Sequence, residues 1–155
     1  MKLLTAGLIL ALCSPLSAMA EGPETLIGQW EADCDAWGTD ATCTVDWSEG
    51  LHPDHLEIAY TISPLDGGDA IFAGQGVYRI GETAIDGYWS DSGGAIHPLA
   101  ASWSGDALTT HWGKAGSAQG RSRYELTETG LRVTDWSLTG EGWQQFMQVD
   151  YTRAD

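Results

Sequence analysis

Turn-forming clusters cut the chain into short apolar segments at intervals of roughly 8 to 12 residues, a cadence that fits an all-β sandwich or barrel. Asp66-Gly67-Gly68, Gly81-Glu82, Ser92-Gly93-Gly94, Ser104-Gly105-Asp106, Thr129-Gly130 and Gly140-Glu141-Gly142 all suit tight hairpins that need positive φ. Between such clusters the pattern has period two. Leu56, Ile58, Tyr60 and Ile62 alternate with Glu57, Ala59 and Thr61, and Pro64 ends the run. No comparable stretch carries a 3.6-residue apolar period, so little helix is expected outside the N-terminal leader. The strands predicted are 25–32, 41–47, 55–63, 70–80, 83–90, 95–104, 107–113, 118–127, 131–138 and 143–153. Ten short strands joined by hairpins make an antiparallel up-and-down meander, which loses its free edges most simply by closing into a β-barrel. A barrel of eight to ten strands leaves room inside for side chains or for one small ligand.

The first twenty residues read as a secretory signal peptide. Lys2 supplies the charge, Leu3 to Leu12 the apolar run, and Ala18-Met19-Ala20 the small-x-small cleavage site. The run is well short of the roughly 20 residues that span a bilayer, and no later segment is continuously apolar, so no membrane span is expected. A lipid anchor at Cys13 competes with this reading, but Leu12 stands where lipoprotein processing prefers a small residue. Residues 21–155 remain as a single domain with two cysteines, Cys34 and Cys43. An even pair this close together in an exported protein predicts a disulfide, and periplasmic or secreted localisation follows. A redox role would more naturally use Cys-x-x-Cys, which is absent.

The formal charge is −15 with only 19% charged residues, so the imbalance reflects few cations as much as many carboxylates. Binding to nucleic acid or to an anionic membrane surface is disfavoured. Solubility in a salty external medium accounts for the acidity more simply than cation binding does.

Gly28-Gln29-Trp30 resembles the Gly-x-Trp signature with which lipocalins and related calycin barrels begin. A tryptophan there can plug the closed end of a barrel, and a glycine lets the chain pass close by. The segments GYWSDSGG (87–94), SWSGDALTTHWG (102–113), GRSRYEL (120–126) and GEGWQQFMQVDYTRAD (140–155) are together similar to an uncharacterised bacterial family of calycin-like barrels. In that family a Tyr-x-Asp-Ser-x-Gly strand and turn precedes a Gly-Asp-x-Leu hairpin and a terminal Trp-x-x-Phe-Met strand ending in Tyr-x-Arg. Tyr88 to Gly93, Gly105 to Leu108 and Trp143 to Arg153 stand in those places. The resemblance covers residues 25–153, is strongest from 87 onward, and implies a fold more firmly than an activity. Lipocalins and fatty-acid-binding proteins imply small apolar ligands, and nitrobindin-like barrels imply haem. This chain departs from the nitrobindin-like pattern because no histidine follows His111, and from the fatty-acid-binding pattern because only the Cys34–Cys43 loop joins its first strands.

On strand 107–113, Leu108, Thr110 and Trp112 face one way and Ala107, Thr109 and His111 the other. The apolar set is expected inside, with His111 on the surface. Trp89, Trp103 and Trp112 can form an aromatic wall that lines a pocket or equally fills the barrel, and the sequence leaves both open. Arg121 and Arg123 share the face opposite Ser122 and Tyr124. They are candidates to clamp a carboxylate or phosphate, against the simpler account of surface ion pairs. Tyr124 completes the candidate ligand-binding set, and Arg153 is expected to cap the barrel end against Trp30.

His52-Pro53-Asp54-His55 lacks any established metal spacing, and haem ligation by His97 or His111 has equally little behind it, so neither metal nor cofactor is expected. No Gly-x-Ser-x-Gly, phosphate loop or His-Glu-x-x-His is present, and no catalytic residue is assigned; Asp86 and Asp91 are too ordinary in so acidic a chain. The favoured reading is an exported barrel that binds a small apolar or amphipathic ligand as a carrier or sensor. A filled, structural barrel is the runner-up. A cryptic enzyme acting on a small apolar substrate is the third, and buried carboxylates beside a cavity would favour it.

Overall fold

Alternating burial carries the predicted pattern through much of the barrel. The computed structural model describes residues 22–114 and 117–154, and the expected leader, 1–20, lies outside the described residues. Ten strands follow one another: β1 (Gly28–Asp35), β2 (Asp40–Glu49), β3 (His55–Pro64), β4 (Phe72–Ile80), β5 (Ile85–Asp91), β6 (Ile96–Ser104), β7 (Ala107–Lys114), β8 (Ser117–Thr127), β9 (Gly130–Thr139) and β10 (Gly142–Arg153). Every sequential pair is antiparallel, and β1 meets β10, so the sheet closes into a barrel as the turn cadence predicts. On β2, Ala41, Cys43, Val45 and Trp47 all point inward, and the residues between them are more exposed. Among the described residues no helix is long and apolar enough to cross a membrane.

The first strand departs from its predicted span. Over 23–26 the chain forms a 3₁₀ turn, and β1 starts at Gly28. Pro23 presets the turn's φ, and Thr25 Oγ1 donates to the Gly22 carbonyl at 2.7 Å, so the apolar residues at 25–27 do not continue as strand. Leu26 is instead driven completely into one barrel end.

That end is closed by the residues expected there. Trp30 is buried, and its Nε1 donates to the Leu26 carbonyl at 2.9 Å. The Arg153 guanidinium stacks 4.4 Å from the Trp30 ring centre and donates from Nη1 to the Ile27 carbonyl at 3.1 Å. Gly28, at φ +139, adopts a backbone that favours glycine, and a Cβ there would collide with Arg153.

Above this plug the lumen is filled by Trp47. Its indole lies 5.4 Å from the Tyr78 ring on β4 and 5.2 Å, edge to face, from the Tyr124 ring on β8, so it reaches across the barrel from β2. Leu26, Val45, Ile58, Leu108 and Leu131 pack around it. The closed half of the barrel is therefore core.

The Cys34–Cys43 disulfide joins β1 to β2 with a Cα–Cα distance of 5.9 Å and points inward at the open half. Such a bond fits an oxidising compartment. Closing a loop of about ten residues contributes on the order of 2 to 3 kcal/mol through the unfolded chain. Replacing both cysteines by serine is expected to lower the urea-unfolding free energy by about that amount. Reductant should then destabilise the parent protein and leave the double variant unchanged.

Candidate functional site

The open half holds a cavity of about 240 Å³. Its wall is mainly aromatic and aliphatic, with Phe72 from β4, Trp89 from β5, Leu99 from β6, Trp112 from β7, and Phe146 and Met147 from β10, and it also includes Asp91 and His97. Two glycines let the indoles lie back against this wall. The Trp89 ring occupies the space that a Cβ at Gly74 would need, and the Trp112 ring does the same at Gly120. The lumen between them stays open. Trp37, in the β1–β2 turn, stands at the mouth with 65% of its surface exposed.

The floor is polar. Tyr78 and Tyr124, supported from below by Trp47, meet Thr110, Ser122 and Asp135 there, with Tyr60 alongside. Asp135 sits on β9 opposite Ser122 of β8 and Met147 of β10. The Ser122 hydroxyl donates to Asp135 Oδ1 at 2.5 Å. Protein surrounds this carboxylate, and the surface it retains faces the cavity. Burial pushes its carboxyl up to about 6, against the opposing pull of the Ser122 bond. Among the described residues no Lys, Arg or His forms an ion pair with it.

The surrounding phenols are held neutral. Burial pushes Tyr60 up to about 12 and raises Tyr78, Tyr124 and Tyr151 as well, and the charge of Asp135 adds to each shift. Tyr60 Oη donates toward Met147 Sδ at 3.6 Å and Cys43 Sγ at 3.8 Å, both weak acceptors. Thr110 Oγ1 and Tyr151 Oη are buried without a partner at full hydrogen-bonding geometry, although Thr110 interacts with Tyr78 and Tyr151 with Tyr60.

The candidates read from sequence divide by face and by height. Trp89, Trp112 and Tyr124 line the cavity. Trp103 also packs on the core, but it pairs with Leu108 beside the β6–β7 turn, near the closed end, whereas Trp112 pairs with Leu99 toward the open end. Arg121 and Arg123 lie outside the barrel. Arg121 stacks between Trp136 at 4.3 Å and Trp143 at 4.9 Å, and Arg123 pairs with Glu125 at 2.8 Å, the surface account of these cations. His111 is exposed beside Trp143, on the face expected for it.

Asp86 and Asp91 fall on opposite faces. Asp86 is paired with Arg79 outside, while Asp91 holds the Trp89 indole at 3.2 Å and accepts from the Gly93 and Ala95 amides. His52 in the β2–β3 turn and His55 at the start of β3 have their rings 5.3 Å apart, and His52 Nδ1 accepts from the Asp54 amide. Among the described residues no three His, Cys, Asp or Glu side chains are grouped to hold a metal ion.

Sequence reasoning placed Thr110 inside and Ser122 on the face opposite the arginines without assigning either to a site, and it passed over Asp135. Asp135 did carry a signal, because it falls in phase with Leu131 and Val133 on the buried face of β9. A second opening also went unforeseen. Among the described residues β1 pairs with β10 through Trp30↔Arg153 and Glu31↔Thr152, with one more bond from the Ala154 amide to the Gln29 carbonyl, and beyond these a groove runs between Asp33–Asp35 and Phe146–Asp150. No protein-family model and no curated protein matches the chain.

Because the folded-state value for Asp135 lies above its unfolded value of 3.8, folded protein binds that proton more tightly between about 3.8 and 6. Its contribution therefore falls as pH rises through that window, and above it the buried carboxylate is a fixed penalty of about 3 kcal/mol. Asp135→Asn is expected to raise stability near neutral pH by roughly 1 to 3 kcal/mol and to leave it little changed below pH 4. Urea unfolding of both proteins across that range measures the difference.

Proposed function

We propose that this protein is an exported, small-molecule-binding β-barrel, a carrier or sensor that takes one apolar or amphipathic ligand into its open half. The observation that carries this reading is the aromatic cavity with a polar floor, set above a lower half already filled by Trp47. A barrel with a purely structural role has no need of this arrangement. The cavity equals the share of about eight waters, which suits a ligand of on the order of ten non-hydrogen atoms. The ligand's apolar part would contact Trp89, Trp112 and Phe72, and its polar end would reach Asp135 and Tyr124.

Export and a periplasmic or secreted location rest on the leader-like residues 1–20 together with the disulfide. A calycin-like relationship rests on Gly28-x-Trp30, the Arg153 stack over that tryptophan, and the closed ten-strand meander. One observation favours a second reading, a cryptic enzyme. A carboxyl raised to about 6 beside a cavity is placed for general acid or base work.

Native mass spectrometry of the protein purified from its exported fraction should show a small co-purifying mass that leaves on denaturation. Variants separate lining from core. Trp112→Ala is expected to weaken binding of an apolar fluorescent probe much more than it lowers stability. Trp47→Ala should cost roughly 3 to 5 kcal/mol of stability, as large buried aromatic deletions do. His111→Ala should alter neither property much. A strong loss of binding in His111→Ala with little effect from Trp112→Ala would move the site to the histidine.

A further inference from the structure

We infer that the cavity selects ligands bearing a protonated amine, with the ammonium group seated against Asp135 and the apolar remainder among Trp89, Trp112 and Phe72. The inference rests on the cavity reading above and names the chemical class of its ligand.

Three observations lead to a cation. First, the Asp135 carboxylate lies at the cavity floor, and among the described residues Ser122 is its one hydrogen-bond donor, through Oδ1. The groups placed around it are Tyr60 on β3, Tyr78 on β4, Thr110 on β7, Tyr124 on β8, and Met147 and Tyr151 on β10, all uncharged. His97, with its ring 5.5 Å from that of Trp112, and Asp91 also line the cavity, but the Asp91 carboxylate already accepts from the Trp89 indole and from the Gly93 and Ala95 amides. A buried carboxylate without a counter-ion is unfavourable, and a ligand that brings one removes the penalty.

Second, Thr110 Oγ1, in the cavity lining, is a buried oxygen that lacks a partner at bonding geometry. An ammonium group offers three N–H donors, enough for Asp135 Oδ2 and this oxygen together, with one to spare. An alcohol offers one donor and leaves the carboxylate's charge uncompensated, and a carboxylate ligand would place like charges together. Third, the walls present indole, phenol and phenyl rings, whose faces attract cations more strongly once water is excluded. The chain's charge of −15 draws cations to its surface and repels anions.

The test uses three ligands on one scaffold, 2-phenylethylamine, 2-phenylethanol and 3-phenylpropionate, titrated near neutral pH and followed by tryptophan fluorescence. In the parent protein the amine should bind at least about tenfold more tightly than the alcohol, with the carboxylate weakest. The preference should persist at about 0.5 M salt, which screens surface attraction but not contact inside the cavity. In Asp135→Asn, amine and alcohol should converge to within about twofold.

Equal or tighter binding of the alcohol by the parent overturns the amine inference and leaves the cavity reading standing. So does a tenfold amine preference that survives Asp135→Asn, because the ammonium then sits elsewhere. If the variant does not fold, the ranking of the three ligands on the parent decides alone. Should none of the three perturb the fluorescence, the cavity reading itself fails and the inference falls with it.

Discussion

A closed ring of ten strands is wide enough that its walls need a large side chain to bridge them, and Trp47 does so. Its indole starts on β2 and meets Tyr78 of β4 and Tyr124 of β8. The two phenols are thereby fixed from below, and their hydroxyl ends help to make the floor of the space above. The height of Trp47 on its strand therefore sets where packing stops and the cavity begins. One residue pair nearer the open end, the same indole would occupy that cavity; one pair lower, it would crowd Leu26 and the Trp30 plug.

The wall is governed by an equally local device. A tryptophan on an inward strand position normally projects across the lumen, but opposite a glycine it can lie back over the neighbouring backbone. Gly74 and Gly120 provide that relief for Trp89 and Trp112. The same residue type thus fills one half of the barrel and lines the other; Trp47 also has a glycine opposite it, Gly28, but the Arg153 side chain takes the space beside that glycine. An interior carboxylate then gives the open half its chemical character, at a cost in stability while it is charged.

Most of the fold was legible because hairpins and period-two burial are local. The turns at Ser104-Gly105-Asp106 and Gly140-Glu141-Gly142, and the inward phase of Leu108, Thr110 and Trp112, need only a few neighbouring residues to be recognised. The start of β1 was not legible, because Thr25, Leu26 and Ile27 look strand-like until Pro23 and the Thr25 bond turn the chain. Height within the barrel was not legible either. Trp103 and Trp112 have the same parity, yet one lies near the closed end and the other lines the cavity, which depends on register across the hairpin. Asp135 was hidden by composition: among many acidic residues, only its phase with Leu131 and Val133 marks it as interior.

The narrow seam between β1 and β10 bears on the order in which the barrel forms. Nine hairpins close over short stretches of chain, but the ring is completed only when Gln29 and Trp30 meet Arg153 and Ala154, by few backbone pairs. Contacts between such distant residues form late and slowly, because the intervening chain must first be ordered. Until then the outer edge of β1 stands unpaired, able to template another strand. The disulfide staples β1 to β2, so the waiting edge belongs to a hairpin already fixed in register. The last strand thus joins a partner held in place for it, and the Arg153 stack over Trp30 fastens the junction once it is made.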